Sequence, residues 1–159
     1  MKTNRLWAPW RFKYIRSKTI KECIFCAAAN KKVKPGVVFR TKHSIALLNI
    51  FPYNNGHIMV APLKHVKDLS GLSESEYNDL WKTVLKIQKA LKEALRPQGY
   101  NIGLNIGTAA GAGIPAHLHV HIVPRWQGDT NFMPVISNTK VISQSLSELE
   151  KKLRKCLIK

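Results

Sequence analysis

The apolar positions of the chain follow two rhythms. Between residues 37 and 62 they come as short runs rich in β-branched residues: "VVFRT" (37–41), "SIALLNI" (44–50) and "GHIMVAP" (56–62). "KH" and the turn-forming "FPYNNG" separate them, which predicts three strands of an antiparallel meander. After Ser73 the period becomes helical. Tyr77, Leu80, Trp81, Val84, Ile87, Leu91 and Leu95 share one face, Ser73 and Glu76 have capping-box spacing, and "RPQG" ends the run, so one long helix is expected over about 74–96. Two more strands follow, "YNIGLNIG" (100–107) and "HLHVHIVP" (117–124), joined by "TAAGAGIPA". A last amphipathic segment over about 144–157 carries Leu146, Leu149, Leu153 and Leu157. This order predicts an α+β domain built on an antiparallel sheet.

The strand at 117–124 also carries candidate chemistry. Residues two apart share a face of a strand, so His117, His119 and His121 line one side while Leu118, Val120 and Ile122 line the other. The apolar side needs a partner, and the long helix supplies one. A single strand histidine is ordinary, but three in strict alternation beside a small-residue loop suggest a reactive face. Neutral imidazole can attack phosphorus, and its neighbours can orient it or attend a departing oxygen. Spacing alone does not choose among the three histidines. The loop after Asn105, with Gly107, Gly111 and Gly113, fits an anion-binding nest of backbone N–H groups; an ordinary hairpin connection is the alternative.

Composition narrows the partners. A chain of 159 residues suits one domain with a real core, and 26 Lys+Arg against 9 Asp+Glu give a net charge of +17, which favours nucleotides, polyphosphates, nucleic acid or acidic membrane, a solubilising surface being the alternative. No Asp or Glu lies between Glu93 and Asp129, which argues against carboxylate-pair chemistry beside the histidines. The glycines, asparagines and histidines of that segment exclude a membrane span there, and a soluble, cytoplasmic protein is expected. Three cysteines are too few for a disulfide scaffold, while Cys23 and Cys26 form a C-x-x-C suited to metal or redox chemistry. The basic start, residues 1–19, lacks the apolar core of a targeting signal and reads as part of the mature protein.

"CIFC", "LLNIFPYNNGHIMVAPLKH" and "NIG…AGAG…HLHVHIVPR" occur in the order of the histidine triad family of nucleotidyl hydrolases and transferases, and the chain resembles that family over about residues 20–125. "LWAPWR" (6–11) and "PRWQGDTNF" (124–132) resemble its diadenosine tetraphosphate phosphorylase-like branch. The resemblance implies a five-stranded antiparallel sheet with one long helix and a C-terminal helix. It also implies a homodimer whose sheets join into one, with residues 1–19 and 126–159 flanking a single domain. It makes His119 the nucleophile and places His121 on the phosphate oxygens. Asn49 would face the ribose and Phe25 and Leu47 the base, with Asn105, Gly111, Ala112 and Gly113 near the phosphates. Trp126 would stack on a second base or on the partner subunit. Cys23, Cys26, His65 and His117 match a zinc site, a mixed Cys and His set that structural zinc prefers. Two departures stand out. The step from Asn105 to His117 is one residue longer than is common, and Gly113 stands where the branch often has Ser.

The reading that follows is a nucleotidyl transferase or hydrolase acting on the α-phosphate of dinucleoside polyphosphates through a nucleotidyl-histidine. Phosphate or water would be the acceptor. A nucleoside phosphoramidase is the alternative within the family. A basic nucleotide- or nucleic-acid-binding protein is the alternative of another class.

Overall fold

A computed structural model describes residues 23–30, 36–131, 136 and 141–158. The segment 1–19 with its "LWAPWR" motif, and part of the stretch after Asn131, lie outside the described residues. The elements run α1 (Ile24–Ala29), β1 (Val37–Arg40), β2 (Ser44–Leu48), β3 (Ile58–Pro62), α2 (Glu74–Leu95), β4 (Gly99–Leu104), β5 (Val120–Arg125) and α3 (Leu146–Leu157). The five strands form one sheet in the order β1-β2-β3-β5-β4, and every neighbouring pair is antiparallel. The expected sheet, long helix and C-terminal helix are all present.

Residues of β2 and β3 are buried without interruption because both faces of these strands are covered. One face presents Ala46, Leu48, Ile58 and Val60, joined by Leu118, Val120 and Ile122. These pack on Leu80, Val84, Ile87 and Leu91 of α2 and on Leu149, Leu153 and Leu157 of α3. The opposite face presents Ile45, Leu47, Met59 and Ala61 to Phe25 and Ala28 of α1. That second face also bears the histidines, so α1 builds the wall beside them. Helix α1 was not expected from the pattern: six residues are too few to show a helical period, and tertiary packing holds them.

Local chemistry fixes the ends of the elements. Ser73 caps α2 by accepting from the Glu76 N–H, while the Glu76 carboxylate accepts from the Ser73 N–H at 2.8 Å. Strand β3 starts at Ile58 and not at Gly56, because Gly56 has φ of +79° and a Cβ there would lie 2.6 Å from Leu95. Strand β4 ends at Leu104, short of the expected 107; Gly107 turns the chain at φ of +83°. Strand β5 begins at Val120, not at His117. Its ladder with β3 stops at Val60–Val120, and beyond it the Leu118 N–H donates to the Val66 carbonyl at 2.6 Å. His117, at a bend, and His119 therefore sit just ahead of the ladder.

Candidate active site

Four side chains from three places in the chain meet at the first histidine. Cys23 and Cys26 flank the start of α1, His65 follows β3, and His117 precedes β5. Their Sγ and Nδ1 atoms all lie within 4.8 Å of one another. Cys23 Sγ is 3.3 Å and Cys26 Sγ 3.6 Å from His117 Nδ1; His65 Nδ1 is 3.1 Å from Cys26 Sγ and 3.2 Å from His117 Nδ1. Zinc bonded at tetrahedral angles would space such ligands about 3.3–3.8 Å apart, so the cluster is close to the size a metal ion needs. His117 Nε2 is 2.9 Å from the Pro62 carbonyl oxygen. A carbonyl only accepts, so Nε2 carries the proton and Nδ1 presents its lone pair to the cluster, the usual way a ligating histidine is oriented. These four residues can hold a metal ion, and the C-x-x-C needs no redox role to account for it.

The same reasoning sets the tautomer of His119. Its Nδ1 lies 2.8 Å from the His117 carbonyl oxygen and must donate, which leaves the Nε2 lone pair available. The side chain is buried, and burial lowers its pKa, so the ring is held neutral. A neutral imidazole of fixed tautomer is what attack at phosphorus requires.

His121 is set by a relay. The Tyr53 backbone N–H donates to His57 Nδ1 at 3.0 Å, and Asn49 Nδ2 is 3.2 Å from the same nitrogen. The proton of neutral His57 is thus on Nε2, which lies 2.9 Å from His121 Nδ1. His57 donates, His121 accepts, and the proton of His121 is left on Nε2 as a hydrogen-bond donor. Burial pushes the His57 pKa down to about 3, with the His121 and His119 rings adding to it; burial, then His119, pushes that of His121 to about 4. The His119 and His121 rings touch edge to face, centroids 4.8 Å apart. One offers a lone pair and the other an N–H.

The remaining expected residues divide clearly. Phe25 is fully buried with its ring 5.0 Å from both His117 and His119, and Leu47 is buried in the same apolar cluster. Asn49 is buried, and its Oδ1 accepts from the Phe51 N–H at 2.9 Å while its amide reaches His57. Asn105 is half-buried at the end of β4, and the loop beyond it is open: a Cβ on Gly107, Gly111 or Gly113 would meet nothing within 4 Å. Gly107 and Gly111 need glycine for their positive φ, whereas Gly113 does not, so nothing within the chain requires a missing side chain there. Trp126 stands apart, about 16 Å along the extended strand from His121, and does not join the cluster.

His57 is the residue that the sequence pattern passes over. Its signal lies in strand register: Met59 pairs with His121, which puts His57, two residues earlier on the same face, beside it. That register is visible only once β3 and β5 are known to be neighbours.

Comparisons with known proteins bear on the family and the fold. A family model described as the HIT domain matches residues 30–128. AP-4-A phosphorylase of Mycobacterium tuberculosis is 38% identical over 165 aligned positions, covering 94% of this chain and 82% of that protein. A histidine triad nucleotide-binding protein from Sulfolobus tokodaii superposes with a TM-score of 0.72 at 29% identity, over 86% of this chain and 92% of its own. A Zn-bound histidine triad family protein from Mycobacterium smegmatis gives 0.71 at 27%, over 86% and 93%. With the triad face, the antiparallel sheet and the sequence matches in agreement, the chain belongs to the HIT domain family.

Proposed function

We propose that the protein is a nucleotidyl transferase or hydrolase of dinucleoside polyphosphates, with His119 as nucleophile. The observation that carries this reading is the opposite tautomer of adjacent rings: His119 Nε2 holds a lone pair where His121 Nε2 holds a proton. In the first step His119 Nε2 forms a bond to the α-phosphorus as the bond to the leaving polyphosphate oxygen breaks, and that oxygen keeps the electron pair. The positive charge developing on the ring is shared with its Nδ1–H, which the His117 carbonyl already accepts. The His121 N–H steadies a phosphoryl oxygen. Phosphate or water then attacks phosphorus, the N–P bond breaks, and the lone pair returns to Nε2 while the acceptor's proton passes to solvent. The similarity to an AP-4-A phosphorylase favours the polyphosphate substrate and phosphate as acceptor.

The base packs beside Phe25 and Leu47, the ribose lies near Asn49, and the phosphates lie along Asn105 and the Gly111–Ala112–Gly113 loop. The open space over that loop supports this placement. Cys23, Cys26, His65 and His117 hold zinc in a structural role; bound there, it fixes His117 and therefore the carbonyl that orients His119. Two copies join through the outer strand β4, where Asn101, Ile102 and Gly103 are exposed, into one continuous sheet, and Trp126 serves the partner. No helix among the described residues is long and apolar enough to cross a membrane. Turnover of diadenosine tetraphosphate with and without phosphate, with products identified by mass, tests the reading. ADP and ATP formed only with phosphate define a phosphorylase, AMP and ATP a hydrolase, and no turnover in either condition contradicts it.

A further inference from the structure

The face that carries the histidines does not end at His121. Its next two positions on β5 are Val123 and Arg125, and together with Tyr53, Asn54 and Asn101 they line a shallow groove of about 260 Å³. Tyr53 stands between groove and histidines. Its ring centroid is 4.5 Å from that of His57 and 5.6 Å from that of His121, yet the residue is 55% exposed. An aromatic ring supported on one side and open on the other is a stacking platform. At the far end the Arg125 guanidinium is locked in plane: Nε and Nη2 donate to the Asp129 carboxylate at 2.6 and 3.1 Å, and Nη1 to Asn101 Oδ1 at 2.7 Å. That side chain is still 45% exposed. Arg125 lies about 13 Å along the strand from His121. A lone phosphate at the histidines would not reach it; a leaving group made of several phosphates and a nucleoside would.

We propose that this groove is the subsite of the departing half of a dinucleoside polyphosphate, with its base stacked on Tyr53 and its phosphates directed along Val123 toward Arg125. The inference rests on the reading of the histidine cluster given above and adds the residues that select a second nucleoside. Tyr53 acts here through its ring; its backbone N–H, which orients His57, is common to every side chain at that position.

Binding to full-length His119→Ala protein, in which turnover is blocked, isolates the subsite. Diadenosine tetraphosphate and adenosine 5′-tetraphosphate carry the same phosphates and differ by one nucleoside. The dinucleotide is expected to bind about tenfold tighter, the usual scale of one base on one aromatic ring. Tyr53→Leu, which keeps bulk against His57 but loses the aromatic face, should erase that difference, and Tyr53→Phe should retain it. Arg125→Gln should weaken both tetraphosphates, and AMP affinity should stay within twofold in that variant. For the Tyr53 variants the readout is the ratio of the two tetraphosphate affinities, which a change at the histidine site shared by both ligands does not move. Equal affinity of the two tetraphosphates before substitution, or a preference that survives Tyr53→Leu, would overturn the proposal. Failure of the wild-type protein to turn over diadenosine tetraphosphate would instead overturn the functional reading, whatever the binding results.

Discussion

At the scale of single residues, reactivity is decided by which nitrogen holds a proton, and four histidines are set by backbone atoms or by one another. Two carbonyls, those of Pro62 and His117, set His117 and His119; one N–H, that of Tyr53, sets His57 and through it His121. His57→Gln should therefore lower kcat by about 10–100-fold, the range usual for losing an orienting partner, while KM changes little. Steady-state kinetics check this; an equal rise in KM would make His57 a substrate contact. Acid stability follows from the same burial. His57 titrates near 6.5 when unfolded and at about 3 when folded, so below pH 6.5 the unfolded chain binds the proton more readily. Stability from neutral His57 is complete above pH 6.5 and is lost as pH falls toward 3. Urea midpoints at pH 7 and pH 5 should differ less in His57→Gln than in the wild type. The triad was legible in the sequence because alternation exposes a strand face. His57 was not, since its partner lies 64 residues away and register joins them.

At the scale of elements, α1 is where the proposed zinc site would contribute most. It is six residues long, too short to hold itself, and its Cys23 and Cys26 join it to the stretches before α2 and β5. Replacing Cys23 with Ser should release one zinc per chain, measured by elemental analysis, and lower Tm by roughly 5 °C or more. An unchanged Tm with metal lost would show that α1 is held by Phe25 and its apolar neighbours alone. The long helix could be read from sequence because its cap, its period and its stop all agree. The start of β5 could not. Its pattern runs from His117, but its ladders with β3 and β4 both stop at Val120, and His117 and His119 lie ahead of them. Gly113 belongs to the same lesson: its φ is ordinary and its surroundings are open, so Gly113→Ser should fold with an unchanged Tm.

At the scale of the molecule, two helices cover one face of the sheet, while the other bears the Cys23, Cys26, His65 and His117 cluster, the histidines and the Tyr53 groove. The outer strand β4 is left with Ile102 38% exposed, beside the acid-poor segment that carries the histidines. If two copies pair through β4 as proposed, Ile102→Glu should leave a monomer in light scattering, since edge-to-edge pairing does not tolerate facing like charges. The strong positive charge was plain from composition, but composition cannot say where an anion binds. The fold gathers neutral histidines on one face of the sheet, where the proposed anion site lies. The most direct test of the account is rapid acid-free quenching of the wild-type protein with diadenosine tetraphosphate in the absence of phosphate, followed by peptide mass analysis. One adenylyl group on His119, absent from His119→Ala, is the result the account predicts; an adduct on another residue, or turnover by His119→Ala at the wild-type rate, would contradict it.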